Sequence, residues 1–399
     1  MWARAFDAVM DRFIRNGALE ITHADGRTTR HGDDSVPIRI TLNDPDLPRK
    51  ILMEPEIALG EAYMDGRLTI AQDDLHGFLT LAMRNRATHS AGDLFRWRQR
   101  LASPVQPVID RFSANRSKAN VAHHYDLSSE LYELFLDEDR QYSCAYFASP
   151  DMTLEEAQEA KKHHIAQKLC LSEGQSVLDI GCGWGGMALT LAQDYGARVT
   201  GVTLSEEQHR VAKRRAEEAG LADRIDIRLE DYRQVKGTFD RVVSVGMFEH
   251  VGRPQYLTYF RHVENSLAPD GIALIHTIGT LTAPRATSSW IRKYIFPGGY
   301  LPAMSQVVRS VEVAGLSLTD VEVLRDHYAR TLAHWQERFV TRIEEARALY
   351  DERFCRMWRY YLTAAELGFR VDRLAVFQFQ MARDKDAVPV TRGYLYSAA

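Results

Sequence analysis

The sequence predicts an α/β chain: a mostly parallel sheet with helices on both faces, preceded by a smaller α+β domain. Two observations carry this. From residue 176 onward, short apolar runs alternate with amphipathic stretches: residues 176–180, 198–203, 224–229, 239–245 and 271–278 read as strands, and 187–195, 205–219 and 255–267 as helices. Such alternation implies parallel strands joined by right-handed crossovers. The second observation is the run from Val177 to Gly186, which sets Gly181, Gly183 and Gly186 in the first strand-to-helix turn. In an open parallel sheet, that turn cradles a cofactor on backbone amides at a helix N-terminus.

The part before this sheet has a different character. Residues 2–14 place Trp2, Phe6, Val9, Met10, Phe13 and Ile14 at helical spacing, with Arg4, Asp7, Asp11 and Arg12 opposite. They predict an amphipathic helix that faces either a protein core or a bilayer surface. Short alternating runs over 18–53, broken by Asp-Gly and Asn-Asp turns, predict a small β element, and helical patterns follow over 54–112. Pro104 and Pro107 break the helical pattern, and a domain boundary is expected near residue 115, giving domains 1–115 and 116–399. Beyond Ile278 a Thr-, Ser- and Pro-rich segment leads into Trp290, Tyr294, Phe296 and Tyr300, as an inserted substrate cover over about 280–310 would. Helices over 329–349 and 351–367 precede the apolar run 374–379, expected to rejoin the sheet as an edge strand.

With 399 residues, 45% hydrophobic and 26% charged, the chain falls in the ordinary globular range. A formal net charge of −4 provides no global field for nucleic acid, and none is expected as a partner. A local basic stretch (Arg84, Arg86, Arg96, Arg98, Arg100, Arg111, Arg116 and Lys118, against Asp93 and Asp110) reads either as a contact for phosphate headgroups or as a solvated face. Cys144, Cys170, Cys182 and Cys355 show neither metal spacing nor a disulfide framework, which fits a reducing cytoplasm. No apolar run reaches the ~20 residues of a membrane span, and charges interrupt the N-terminus where a signal peptide would need an apolar core.

The neighbours of the glycine loop discriminate between cofactors. Asp179, at the strand end before Gly181, would repel a pyrophosphate but helps to hold an ammonium group through the loop. A dinucleotide site wants an acidic ribose ligand after the second strand, and Thr203 stands there, with Gln208 nearby. Asp231 is placed to accept from an adenine amino group, and Tyr232 offers a flat apolar face. S-Adenosylmethionine is therefore expected rather than a dinucleotide, and an oxidoreductase is disfavoured.

With these residues, the chain resembles the cyclopropane-fatty-acyl-phospholipid synthase family. The resemblance lies in His123-His124-Tyr125-Asp126-Leu127, Gln141-Tyr142-Ser143-Cys144-Ala145-Tyr146-Phe147 and the glycine loop. It continues through Gly201-Val202-Thr203-Leu204-Ser205, Met247-Phe248-Glu249-His250-Val251-Gly252 and His276-Thr277-Ile278-Gly279. It is strong over about 116–383 and weaker in Glu61-Ala62-Tyr63-Met64-Asp65-Gly66. It implies a Rossmann-like class I methyltransferase fold with a mostly parallel seven-stranded sheet, and a lipid-binding N-terminal domain that points to phospholipid substrates. It also implies that Tyr142, Ser143, Gly181, Gly183, Thr203, Gln208, Asp231 and Tyr232 line the S-adenosylmethionine site.

The implied reaction adds a sulfonium methyl to a cis alkene of an acyl chain, and a base then removes a methyl proton as a cyclopropane ring closes. The resemblance implies bicarbonate as that base, held by Cys144, Glu249, His276, the backbone of Ile278, and Tyr328. From the residues alone, Glu249 and His276 fall at carboxyl ends of parallel strands, where a carboxylate–histidine pair could orient a small oxyanion. A metal site of Glu249, His250, His276 and Cys144 matches no standard spacing, and no metal is expected. Phe248, Tyr146, Trp290 and Tyr294 are candidates for stabilising the cation. A lipid C-methyltransferase leaving a methyl or methylene branch, and a silent lipid-binding protein, are the remaining alternatives. The implied enzyme works in the cytoplasm, peripherally on the inner membrane face, and a homodimer would strengthen that attachment.

Overall fold

The computed structural model describes residues 1–88 and 128–396. The boundary expected near 115, the break at Pro104 and Pro107, the basic residues from 96 to 118 and the segment 123–127 lie outside the described residues. The chain divides into two compact units: one gathers the described part of Met1–Pro107 with Thr287–Ile295 and Leu332–Arg373, and the other holds the rest.

The first unit contains a four-stranded sheet in the order β2-β1-β3-β4, with β1 Ala18–Thr22, β2 Thr28–Gly32, β3 Ile38–Leu42 and β4 Leu68–Ile70. The N-terminal amphipathic pattern forms the helix Trp2–Phe13, which packs on this sheet and buries Phe6 and Asp7, while Trp2 stays exposed. Burial pushes the Asp7 carboxyl up, and hydrogen bonds from Arg27 and His23 more than reverse this. Residues 47–53, expected within the β element, form the helix Leu47–Met53, because Pro48 in its first turn supplies a φ ready for helix. The helices Pro55–Met64 and Leu75–Thr88 follow. Within the basic stretch, Arg86 is paired, donating to Asp372 at 2.9 Å.

The Glu61–Gly66 motif has a physical role in this unit. Glu61 accepts from Lys293 Nζ (2.6 Å) and Tyr294 Oη (2.7 Å), and Asp65 accepts from Arg353 (2.8 Å). One residue earlier, the indole of Trp290 lies so close to Gly60 that an added Cβ would stand 2.3 Å from its Nε1.

The second unit is built on a seven-stranded sheet in the order β10-β11-β9-β8-β5-β6-β7. Its strands are β5 Ser176–Ile180, β6 Arg198–Thr203, β7 Ile225–Leu229, β8 Phe239–Val245, β9 Leu267–Thr280, β10 Ser317–Leu324 and β11 Leu374–Ala382. Strands β5 to β9 are parallel, and β11 and then β10 are added antiparallel. Alternate side chains serve opposite faces. Leu178, Ile180, Ala273, Ile275, Phe377 and Phe379 join one core with Tyr256, Tyr259 and Phe260. Val177, Val243 and Leu274 join the other, with Ile165, Leu191 and Ala212.

The sheet corrects the expectation for β11. It is an interior strand between β10 and β9, and eight of its nine residues are buried; the edge on this side is β10, whose residues other than Leu324 are half-exposed. The predominantly apolar character of β11, broken only by the buried Gln378 and Gln380, marks a strand covered on both faces. The continuous helix expected over 329–349 is two, His327–Thr341 and Ile343–Leu349, separated at Arg342.

Replacing Gly60 by Ala forces a methyl into the Trp290 indole, and overpacking of this kind costs about 1–3 kcal/mol. Calorimetry of G60A should show a thermal midpoint lowered by a few degrees; an unchanged midpoint would refute the close approach.

Candidate active site at the strand ends

Strand order reverses between β5 and β8, and at that point the loops after the two strands diverge and leave a crevice. A pocket opens there, lined by Asp179 near the end of β5 and Gly181, Cys182 and Gly183 after it, by Val245 at the end of β8 and Gly246 after it, and by Gln208. Its other wall is Arg140, Gln141, Tyr142 and Ser143, a strap that runs ahead of β5 in the chain. Gly181 adopts φ +83°, which favours glycine, and a Cβ there would press to 2.9 Å on the Met247 side chain.

Of the residues expected to hold the cofactor, Tyr142, Ser143, Asp179, Gly181, Gly183 and Gln208 meet in this one pocket. Thr203 stands directly behind, its hydroxyl donating to Gln208 Oε1 at 2.9 Å. Asp231 and Tyr232 lie beyond the pocket lining: Asp231 accepts from the Arg233 backbone and guanidinium, and Tyr232 packs edge-on against Tyr259 and His262. Asp179 is buried with Oδ2 unpartnered, and burial pushes its carboxyl up to about 7. An unpaired carboxylate oxygen at the pocket wall fits a ligand bearing an ammonium group.

The second group of residues lies alongside. Glu249 sits in a short turn after β8 and accepts from the Ile278 amide through Oε1 at 2.6 Å. Its Oε2 is buried without a partner, and burial pushes its carboxyl up to about 7. His276, on β9, pairs with Val245 of β8, and its carbonyl accepts from the pocket residue Gly246 at 2.9 Å. Its Nδ1 meets Gln378 Nε2 at 3.2 Å, which leaves the ring proton on Nε2, an atom buried without a partner. Burial, then the positive field of Lys161, Lys168 and His164, drives the His276 pKa well down and keeps the ring neutral.

Cys144 is buried, its thiol pushed up by burial. The strap beyond it is fastened around Tyr328: the Phe147 amide donates to His327 Nδ1 at 3.0 Å and the Ala145 amide to Thr331 Oγ1 at 3.1 Å. The aromatic candidates for the cation have these ring neighbours. Tyr146 stacks on His164, Phe248 packs among Tyr256, Tyr259 and Phe260, and Trp290 and Tyr294 pack together, with Trp290 also on Tyr360.

Sequence reasoning missed the polar supports of this site. Gln378 is fully buried in β11, and a glutamine inside an apolar run was its signal. The helix Leu154–Lys168 buries Gln158, Lys161, Lys162, His164 and Lys168, although its composition reads as a solvated surface helix. Glu207 accepts from Ser129 Oγ (2.6 Å) and Trp184 Nε1 (3.0 Å) and so fastens the glycine loop.

A doubly wound, mostly parallel seven-stranded sheet with a glycine loop at its switch point is a class I methyltransferase fold. The chain matches the family model described as mycolic acid cyclopropane synthetase over residues 112–379, and a domain of unknown function over residues 6–91. It is 40% identical to the cyclopropane-fatty-acyl-phospholipid synthase of Escherichia coli K12, covering 88% of this chain and 89% of that protein. It is 36% identical to the tuberculostearic acid methyltransferase UfaA1 of Mycobacterium tuberculosis, covering 96% and 92%. The solved mycolic acid cyclopropane synthase CmaA1, complexed with SAH and CTAB, superposes with a TM-score of 0.64 at 35% identity, covering 66% of this chain and 98% of that one. The chain belongs to the mycolic acid cyclopropane synthetase family.

A buried acid with a raised pKa contributes stability that is full below about pH 4.5 and is lost as pH rises through about 7. Glu249→Gln keeps the acceptor for the Ile278 amide and removes the titration. The ligand-free variant should therefore gain stability relative to the parent between pH 4.5 and 7.5, and thermal melts showing a constant difference would contradict the shift at Glu249.

Proposed function

We propose that this chain transfers the sulfonium methyl of S-adenosylmethionine to the cis double bond of unsaturated phospholipid acyl chains and closes a cyclopropane ring, with bicarbonate as proton acceptor. The observation that carries this reading is that Glu249 Oε2 and His276 Nε2 are both buried without a partner among the described residues, on segments that adjoin Gly246 of a pocket suited to an aminoacyl nucleoside. The family membership and the named activity of the E. coli relative support it.

When bound, S-adenosylmethionine supplies an electrophilic methyl, and bicarbonate supplies a base too weak to trap the carbocation. The residues divide the remaining work. Tyr142, Ser143, Asp179, Gly181, Gly183, Thr203 and Gln208 would hold the cofactor, with Asp231 and Tyr232 toward its adenine end. His276, neutral and protonated on Nε2, would donate to an oxygen of the small anion. Glu249 Oε2, held in line by the Ile278 amide on Oε1, would accept the anion's hydroxyl. One donor and one acceptor suit an ion that presents both functions. Cys144 and Tyr328 would close the anion's surroundings, and the low polarity there prevents water from quenching the cation. Bicarbonate held by Glu249 and His276 would supply the acceptor for the methyl proton in ring closure, and the overall products would be S-adenosylhomocysteine, ring-bearing lipid and a proton.

The first 115 residues would engage lipid, the segment 280–310 would cover the acyl chain, and the protein would work as a peripheral enzyme on the inner membrane face, with a second copy adding to weak attachment. Among the described residues no helix is long and apolar enough to cross a membrane.

Methyl-labelled S-adenosylmethionine and vesicles of unsaturated phospholipid provide the test, with acyl products read by mass spectrometry and ring protons by NMR. Labelled cyclopropane chains are expected. Unlabelled lipid would overturn the proposal, and labelled branched chains would reassign the chain as a lipid C-methyltransferase. Glu249→Gln should retain S-adenosylhomocysteine binding yet lose about 100-fold or more in turnover, the scale of general base catalysis.

A further inference from the structure

The helix Leu154–Lys168 carries a buried charge whose direct hydrogen bonds have no role in the reaction described above. Lys161 is 0% exposed, and its ammonium donates to Gln141 Oε1 at 2.6 Å and to Ser143 Oγ at 2.8 Å, both on the strap that walls the cofactor pocket. One helical turn earlier, Gln158 Nε2 donates to the backbone carbonyls of Gln141 (3.1 Å) and Ser143 (3.0 Å). Gln141 also donates elsewhere, from Nε2 to Asp139 at 2.9 Å and from its amide to Asp137 at 3.0 Å.

A buried ammonium is expensive to maintain, and packing alone is served better by an apolar side chain. Burial pushes the Lys161 pKa down to about 8, against the opposing pull of Asp137 and Asp139. Its hydrogen bonds go to two side chains, Gln141 and Ser143, that line the pocket. With its oxygen accepting from Lys161, the Ser143 hydroxyl is left to act as a donor, and the pocket presents that donor to an acceptor such as a carboxylate.

We propose that Lys161 is a positioning residue for cofactor binding: from beneath the strap it fixes the side chains of Gln141 and Ser143 and sets the Ser143 hydroxyl as a hydrogen-bond donor into the pocket. This rests on the cofactor assignment made under the proposed function and adds a residue outside the pocket lining to it. The effect passes through Ser143, so the two positions should be coupled.

The test is a double-variant cycle on the full chain, with S-adenosylhomocysteine affinity read by titration calorimetry. Lys161→Met and Ser143→Ala should each weaken binding roughly tenfold, the scale of one lost charge-assisted hydrogen bond. The double variant should be no weaker than the poorer single variant, and Lys161→Arg should restore part of the loss. In turnover assays K161M should raise the KM for S-adenosylmethionine far more than it lowers kcat. If K161M does not fold, Lys161→Gln enters the same cycle. Affinity within twofold of the parent in the Lys161 variant, or losses that add in full in the double variant, would overturn the proposal. A parent chain that binds S-adenosylhomocysteine but leaves lipid unlabelled sinks the lipid reading alone.

Discussion

The parallel sheet of the second unit opens where its strand order reverses, and a segment that forms no ladder with the sheet must close that opening. The residues from Asp137 to Phe147 do this. Their backbone groups have no sheet neighbours, so side chains from the helix Leu154–Lys168 and from the start of the helix His327–Thr341 satisfy them instead. Gln158 takes two strap carbonyls, Asp137 takes the Gln141 amide, and Thr331 takes the Ala145 amide. The glycine loop is drawn into the same network, because Arg215 joins the Trp184 carbonyl to the Asp139 carboxylate. The shape of the pocket is thus a consequence of where buried backbone groups find partners.

Desolvation then sets the chemical character of the site. The same burial that raises Asp179 and Glu249 toward neutrality keeps His276 uncharged. Each of these groups has one buried atom without a partner among the described residues, while Glu249 Oε1 and His276 Nδ1 are tied to the Ile278 amide and to Gln378. Buried polar atoms in folded proteins are normally satisfied, so bare atoms on residues at or next to the ends of β5, β8 and β9 are candidates for ligand contact. The positive charges of Lys161, Lys168 and His164 contribute at longer range, favouring a neutral imidazole over an imidazolium.

The parallel strands, the glycine loop and the positions of Glu249 and His276 were legible in the sequence because each depends on local periodicity or on a turn. Strand β10 was not: Asp320 and Glu322 interrupt its apolar residues, as an edge position allows and a pattern search discounts. The place of β11 was misjudged for the complementary reason, since an apolar run gives no indication of which neighbours cover it. Gln378 reaches His276 from 102 residues away, across an antiparallel pair that only the assembled sheet reveals. Lys161 was invisible because a lysine in the run Glu155-Glu156-Ala157-Gln158-Glu159-Ala160-Lys161-Lys162 reads as solvated, and its burial follows from the strap's unmet acceptors rather than from its own helix.

The insertion of β11 between β10 and β9 also bears on how the chain is made. As the protein emerges from the ribosome, β9 is synthesised with its outer edge unpaired, and it remains so until residues 374–382 appear. The first unit waits as well, because it takes in Leu332–Arg373, residues made long after its own sheet. Through that interval an apolar strand edge stands open, a condition that favours pairing between chains. Completion of both units is therefore a late event in synthesis, and the β9 edge stays open while residues 281–373 are made.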